Sequence, residues 1–210
     1  MKLIGMLDSP YVRRTAITFD LLGISFEHHA ISVFSTFEQF QQINPVVKAP
    51  SLICDEGTVL MDSSLIIEYA EAVSGRSLKS TQLHPLQKEL QITGLALAAC
   101  EKTAQYVYEK SLRPTEKQFQ PWLDRVQGQL IAAMTQLEHL IAGLHDPVEQ
   151  IERNQSLLTS AVTWQFIYSM LPDILIAADY PALTTLSTNA EQLPVFKKYP
   201  PVGPGVQTQA

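Results

Sequence analysis

Two places in this 210-residue chain set polar side chains where a helix begins. At Asp8-Ser9-Pro10 a short run from Lys2 to Leu7 gives way to Val12, Ala16, Phe19 and Leu22, apolar at spacings of three and four. Ser9 is a preferred N-cap there and Pro10 a preferred first helical residue. Asp62-Ser63-Ser64 likewise precedes Leu65, Ile66, Tyr69, Ala70 and Val73. The free N–H groups and positive dipole end of a helix start attract an anion, a carboxylate or a thiolate. No Glu or Gln stands three residues beyond Asp62 or Ser63, so neither forms a full capping box. The plain alternative at each place is a helix cap and nothing more. Ser9 is not read as a nucleophile, because no His or Lys lies nearby in sequence to take its proton.

Other chemistries find little support. His28, His29, His84, His139 and His145 lack the i,i+4 pairing of a zinc helix and no cysteine accompanies them, so no metal site is proposed. Cys54 and Cys100 form no C-x-x-C pair, which suits a reducing, cytoplasmic location. The formal charge is −6 and the basic residues are scattered, apart from Arg13-Arg14 and Lys197-Lys198, which argues against nucleic acid as a partner. With 46% hydrophobic and 17% charged residues the composition is globular. The opening residues give no export signal. Glu101, Glu109, Arg125 and Glu138 break the long helical patterns well short of the ~20 apolar residues a membrane span needs, so the protein is expected to be soluble, with no membrane partner.

The elements that must position these residues follow from periodicity. Lys2–Leu7 reads as a strand, the segment from Pro10 to Gly23 as a helix, and Ile24–Ile31 as a second strand, a parallel βαβ unit. Phe34, Phe37, Phe40 and Ile43 mark a short irregular helix ended by Asn44-Pro45. Ser51–Cys54 and Thr58–Met61 flank Asp55-Glu56-Gly57 as an antiparallel hairpin, and a helix runs from Asp62 to Gly75. After a polar link the chain reads as helical: Leu86–Leu112, a helix through Trp122 and Leu140 closed by Gly143, a uniformly apolar and therefore central Leu157–Leu171, and Pro181–Leu193. The Pro- and Gly-rich stretch from Pro194 predicts an extended segment laid over the surface. The predicted fold class is α/β plus all-α: a thioredoxin-like βαβαββα domain over residues 1–75, a linker over 76–84, and an all-helical domain over 85–210 with an extended tail.

In order and register, Ser9-Pro-Tyr-Val-Arg-Arg14, Asn44-Pro-Val-Val-Lys-Ala-Pro50 and Asp62-Ser-Ser-Leu-Ile-Ile-Glu-Tyr69 resemble the cytosolic glutathione S-transferase superfamily. Leu112-Arg-Pro-Thr-Glu-Lys-Gln118 followed by Trp122 is similar to a bacterial branch that uses serine rather than cysteine. The resemblance covers nearly the whole chain. It implies that the Ser9 hydroxyl donates to the sulfur of glutathione, the co-substrate. A free thiol has a pKa near ~8.5, so little is thiolate at pH 7, and a two-unit drop is worth ~2.7 kcal/mol. It further implies a cis bond before Pro50, an Ala49 backbone that pairs with the cysteinyl part of glutathione, and Lys48 near the glycyl carboxylate. Ser63 would hold the γ-glutamyl carboxylate and Asp62 the α-ammonium. Tyr106, Arg113 and Trp164 are implied as walls of a second-substrate pocket, against the ordinary reading of helical aromatics as core.

The implied activity is transfer of the glutathione thiolate to a small hydrophobic electrophile, in a cytoplasmic homodimer joined across the first domain's third helix and the long helices. Two alternatives stand beside it: a glutathione-dependent thiol–disulfide reductase, for which Ser9-Pro10-Tyr11-Val12 offers no thiol, and a non-catalytic module that keeps the fold to bind proteins. Two residues depart from the family pattern. Val162 stands where the central helix commonly carries a capping acid, so that Thr163 compensates or the helix starts earlier at Ser156, and Asp62 stands where a longer Glu or Gln is common.

Overall fold

A computed structural model describes residues 1–206, in two compact units. Of the described residues, the first comprises Met1–Leu78 together with 193–206, and the second runs from Lys79 to Gln192.

The first unit is built on a four-stranded sheet in the order β2-β1-β3-β4, formed by β1 (Lys2–Ile4), β2 (Glu27–His29), β3 (Ser51–Ile53) and β4 (Val59–Leu60). β1 pairs in parallel with β2 and antiparallel with β3, which pairs antiparallel with β4. The crossover from β1 to β2 is α1 (Pro10–Leu21), with Ser9 as N-cap and Pro10 in its first turn. Its exit bends at Gly23, whose φ of 75° is the left-handed value glycine tolerates. α2 (Phe37–Ile43) connects β2 to β3, and α3 (Ser63–Ser74) follows β4. Ile4, Ile31 and Phe40 form a buried cluster closed by Val47, Ala49 and Ile53. α1 packs against α3, burying Val12, Ala16, Ile17 and Phe19 on one helix and Ile66, Ile67 and Ala70 on the other. Each large side chain buried this way contributes about 1.5–3 kcal/mol before entropy.

The stretch from Pro194 departs from the extended segment predicted. Pro194–Lys198 forms a short helix, α8, and packs on α1, so these residues belong to the first unit although the sequence grouped them with the helical domain. The tie is Arg13. Its buried Nε donates to the Tyr199 carbonyl at 2.7 Å and Nη2 to that of Phe196 at 3.4 Å, with the guanidinium 5.4 Å from the Phe196 ring. A cation at a helix C-terminus meets the negative end of the dipole, which offsets part of its burial cost.

The second unit is helical: α4 (Leu83–Leu112), α5 (Gln120–Ala142), α6 (Gln155–Met170) and α7 (Pro181–Ala190), joined by short 3-10 segments. α6 is buried from Gln155 to Trp164 and packs on α4 and α7, the central position its composition predicted. Its hydroxyls are satisfied within the helix, Thr159 donating to the Gln155 carbonyl at 2.7 Å and Ser160 to that of Ser156 at 2.8 Å. The cap is Asn154, whose Oδ1 accepts from the N–H groups of Ser156 and Leu157. The helix therefore starts one residue before Ser156, and no acid at position 162 is needed to begin it. Thr163, offered as a compensating residue, instead meets Cys100 Sγ at 3.3 Å. Among the described residues no helix is long and apolar enough to cross a membrane.

Candidate active site

Three segments of the first unit converge beyond the end of β1. Gly5 shows how closely: at a φ of 137°, a Cβ there would lie 2.6 Å from Val12 Cγ2 and 3.2 Å from Ala49 Cβ. Only glycine lets the start of α1 and the Ala49-Pro50 loop approach this strand together. The Ala49–Pro50 bond is cis.

The loop that carries Lys48, Ala49 and Pro50 is braced from inside. Asn44 Oδ1 accepts from the Val46 N–H at 3.0 Å, and its Nδ2 donates to Ser51 Oγ at 2.8 Å. Ser51 Oγ in turn donates to the Lys48 carbonyl at 2.8 Å. Val47 is held at a φ of 53°, a conformation that costs a β-branched residue on the order of 1–3 kcal/mol and persists only when its surroundings impose it. Asn44 is thus a supporting residue, which sequence reading placed at a helix stop and at the head of the Asn44–Pro50 motif without giving it this bracing role.

Ser9 is half-buried, and its Oγ accepts a long hydrogen bond of 3.5 Å from the Val12 N–H. The acceptor role leaves the hydroxyl hydrogen free to donate elsewhere. α1 has no acidic residue in its first turn and its N-cap is the neutral Ser9, whereas α3, also without an acid in its first turn, is capped by a carboxylate.

At the start of α3 the N-cap is Asp62, whose Oδ1 accepts from the Ser64 N–H at 2.8 Å. Its Oδ2 lies 4.0 Å from Lys48 Nζ, with both side chains about half exposed. Such a surface pair is worth about 0–1 kcal/mol, so a charged ligand displaces it at little cost. Ser63 is buried, and Arg14 Nη1 donates to its Oγ at 3.0 Å and approaches Ser64 Oγ at 3.4 Å. Arg14 belongs to a motif noted in the sequence, yet its role was missed: nothing in a one-dimensional pattern separates a solvated arginine from one 3% exposed and aimed at a neighbouring helix start.

The residues predicted for a second-substrate pocket lie in the second unit, on α4, at its C-terminal end and on α6. Trp164 is 4% exposed, stacked 5.7 Å from Tyr168 and tilted against Tyr180 at 5.4 Å, which places it in the core. The ordinary reading of a helical aromatic prevails there. Tyr106 is half-buried on α4. Arg113 pairs with the buried carboxylate of Glu109 at 2.9 Å and borders a surface depression of about 510 Å³ with Phe119, Trp122 and Arg125. Glu109 also accepts from the Phe119 N–H at 3.1 Å, which fixes the turn between α4 and α5.

Residues 3–77 match the family described as the N-terminal domain of glutathione S-transferases. An uncharacterised protein of Escherichia coli named as glutathione S-transferase-like, YibF, is 29% identical over 143 residues, 62% of this chain and 70% of its own. Among solved structures, a glutathione S-transferase from Methylobacterium radiotolerans in complex with glutathione sulfonate superposes with a TM-score of 0.88 at 19% identity, covering 100% of this chain and 98% of that one. A glutathione transferase family member from Pseudomonas fluorescens with bound glutathione gives 0.82 at 24% identity, covering 96% and 99%. The sheet order and the helical second unit accord with these likenesses: residues 3–77 match the N-terminal domain of glutathione S-transferases, and the chain as a whole has the glutathione S-transferase fold.

Proposed function

We propose that this chain is a glutathione transferase of the serine type, which activates the glutathione thiol with Ser9 and joins it to small hydrophobic electrophiles. One observation carries the reading: Ser9 caps a helix with no acid in its first turn, beside the Ala49–Pro50 loop, with its hydroxyl hydrogen available to a sulfur. Glutathione bound in the Pseudomonas fluorescens structure supports the choice of thiol.

The site residues take distinct roles. The Ala49 backbone beside Pro50 pairs with the cysteinyl unit as an added strand. Ser63 receives the γ-glutamyl carboxylate at the N-terminus of α3, with the guanidinium of Arg14 supplying positive charge behind it. Asp62 and Lys48 exchange their mutual contact for the α-ammonium and the glycyl carboxylate. Ser9 donates to the sulfur, which together with the dipole of α1 favours the thiolate. The thiol proton passes to solvent, and the thiolate then attacks the electrophilic carbon. With an aryl halide the C–S bond forms and the carbon–halogen bond breaks, the halide leaving with its electron pair. With an activated alkene the C–S bond forms at the β-carbon and the resulting carbanion takes a proton from solvent. Tyr106 and Arg113 remain candidates for contact with the second substrate. The protein works as a cytoplasmic homodimer, a reading that the apolar Leu65 and Val73, 58% and 51% exposed on α3, support.

Calorimetry with glutathione, joined to a conjugation assay on an aryl halide, tests the reading. A dissociation constant between micromolar and millimolar, about −8 to −4 kcal/mol, together with measurable conjugation is the expected result. Ligand at a hundred times that constant stabilises the fold by ~2.7 kcal/mol, visible as a rise in melting temperature. Neither heat nor a melting shift at several millimolar glutathione would overturn it in favour of an interaction module.

A further inference from the structure

The end of α8 and the chain after it are tied to the last turns of α1 and to Asp8 just before its start. Near the far end of that helix Lys198 Nζ and Tyr199 Oη donate to Asp20 Oδ2, and close to its start Arg13, the fourth helical residue, holds the Tyr199 carbonyl. At the near end the Gly205 N–H donates to Asp8 Oδ2 at 2.9 Å, just before Ser9. Pro200, Pro201 and Pro204 stiffen the chain between these anchors, and the Val202 N–H donates to the Pro200 carbonyl at 2.8 Å in a tight turn.

The strap meets Asp8 closely. A Cβ on Gly203 would lie 2.1 Å from Asp8 Oδ2 and 2.2 Å from its Cγ, so any side chain there must push strap and carboxylate apart. Gly205 adopts a φ of 65°, which turns its N–H to the carboxylate at little steric cost. Among the described residues this N–H is the hydrogen-bond donor to the Asp8 carboxylate.

A carboxylate placed immediately before an N-cap has a competing destination. The free N–H groups and dipole of the first turn of α1 stabilise a nearby anion, and Asp8 is close enough in sequence to occupy them. Occupied that way, the helix start would no longer be electropositive, and a thiolate beside Ser9 would face a like charge. The other charged groups near these helix starts are engaged elsewhere: Arg13 on Phe196 and Tyr199, Arg14 on Ser63, and Lys48 with Asp62.

We propose that Gly203–Gly205 is a positioning element for the reaction at Ser9, a strap that holds the Asp8 carboxylate off the N-terminus of α1 so that an anionic sulfur can use it. Its effect on the sulfur rests on the glutathione reading above, whereas its effect on Asp8 does not.

Two changes loosen the strap without touching Ser9: removal of the chain from Gly203 onward, and Gly203→Ala in the full-length protein. Each is made with Asp8 intact and with Asp8→Asn, and far-ultraviolet dichroism and melting establish that all four proteins are folded. Thiolate absorbance of bound glutathione is followed against pH. With Asp8 intact, both changes are expected to move the thiol titration to higher pH and to lower the thiolate fraction at neutral pH about three- to tenfold. With Asp8→Asn the titration returns toward that of the unmodified protein. An unmoved titration, or one that Asp8→Asn does not restore, overturns the proposal. Amide exchange at Tyr11 and Val12, recorded without glutathione, reads the same switch independently. Exchange there slows when the strap is removed, because the released carboxylate engages the first turn, and recovers with Asp8→Asn. Unchanged or faster exchange overturns the proposal even if glutathione binds. Absent thiolate signal in the unmodified protein with exchange as stated removes the glutathione reading and leaves the strap's hold on Asp8 standing.

Discussion

Arg14 on α1 reaches Ser63 at the start of α3, its Nη1 donating to the serine Oγ at 3.0 Å. The contact joins the two helix starts, and it adds a full positive charge behind the start of α3, where the γ-glutamyl carboxylate is proposed to bind. Removing that charge should weaken glutathione binding more than it weakens the fold. Arg14→Met, which keeps most of the side-chain volume, is expected to lower affinity about ten- to a hundredfold, the ~1.5–3 kcal/mol of a hydrogen bond to a charged group. Arg14→Lys should fall between, because it keeps the charge and loses the planar fork. Calorimetry at fixed pH measures both.

Ser9 has two possible duties, and glycine separates them. As an N-cap glycine costs only a few tenths of a kcal/mol relative to serine, yet it deletes the donor. Ser9→Gly should leave melting nearly unchanged and cut aryl-halide conjugation about ten- to a hundredfold near neutral pH. Losing the donor raises the thiol pKa, so the thiolate fraction falls at pH 7 and recovers as pH climbs through the raised value. Ser9→Thr should retain more activity. A Ser9→Gly enzyme with the rate and pH profile of the unmodified one would reduce Ser9 to a cap.

The hydroxyl of Tyr199 offers a pH test of the strap's upper anchor. Burial and then the hydrogen bond to Asp20 hold its pKa above the usual tyrosine value. A pKa raised in the folded state means that the neutral phenol is the form the fold favours. Its contribution is therefore complete below the unfolded pKa, near 10, and is lost as pH rises through the higher folded value. Melting temperature should decline over that alkaline window, and Tyr199→Phe should flatten the decline. Spectroscopic titration of tyrosinate should show one fewer late-titrating group in the variant.

In the second unit Glu138 on α5 caps α7 from a distance, its two carboxylate oxygens accepting from the Ala182 and Leu183 N–H groups at 2.8 and 2.9 Å. Glu138→Ala should cost about 1–2 kcal/mol in urea unfolding, the range of a lost cap together with a lost helix-dipole charge. Glu138→Gln should cost less, since one acceptor oxygen remains.

Most of the architecture was legible because it is written in local signals. Ser9-Pro10, Gly23 and Gly75 mark helix ends that depend on backbone conformation alone, and the structure places α1 and α3 between them. The strand pattern and the Asp55-Glu56-Gly57 turn are equally local, and Gly57 takes the positive φ of 85° that such a turn requires. What escaped depends on partners far away in sequence. Asn154 caps α6 where Ser156 was expected, because Glu89 on α4, 65 positions earlier, accepts from its Nδ2 and holds it there. Trp164 was read toward a pocket and lies in the core, since the rings that cover it, Tyr168 and Tyr180, sit on a later helical turn and beyond the helix end. Arg13 and Arg14 are adjacent and identical in type, yet one is claimed by α8 and the other by α3, a division set entirely by tertiary packing.

Because α8 completes the first unit, that unit is made of two stretches separated by more than a hundred residues. A ribosome adding about 5–20 residues per second needs roughly six to twenty-four seconds to pass from Leu78 to Phe196. During that interval the sheet and α1 can form, but the guanidinium of Arg13 has neither of the carbonyls that later enclose it. The first domain to emerge is then the last to be finished, and in the nascent chain the pocket for Phe196 beside Arg13 stands open, an apolar surface for a chaperone to hold until synthesis has moved far downstream.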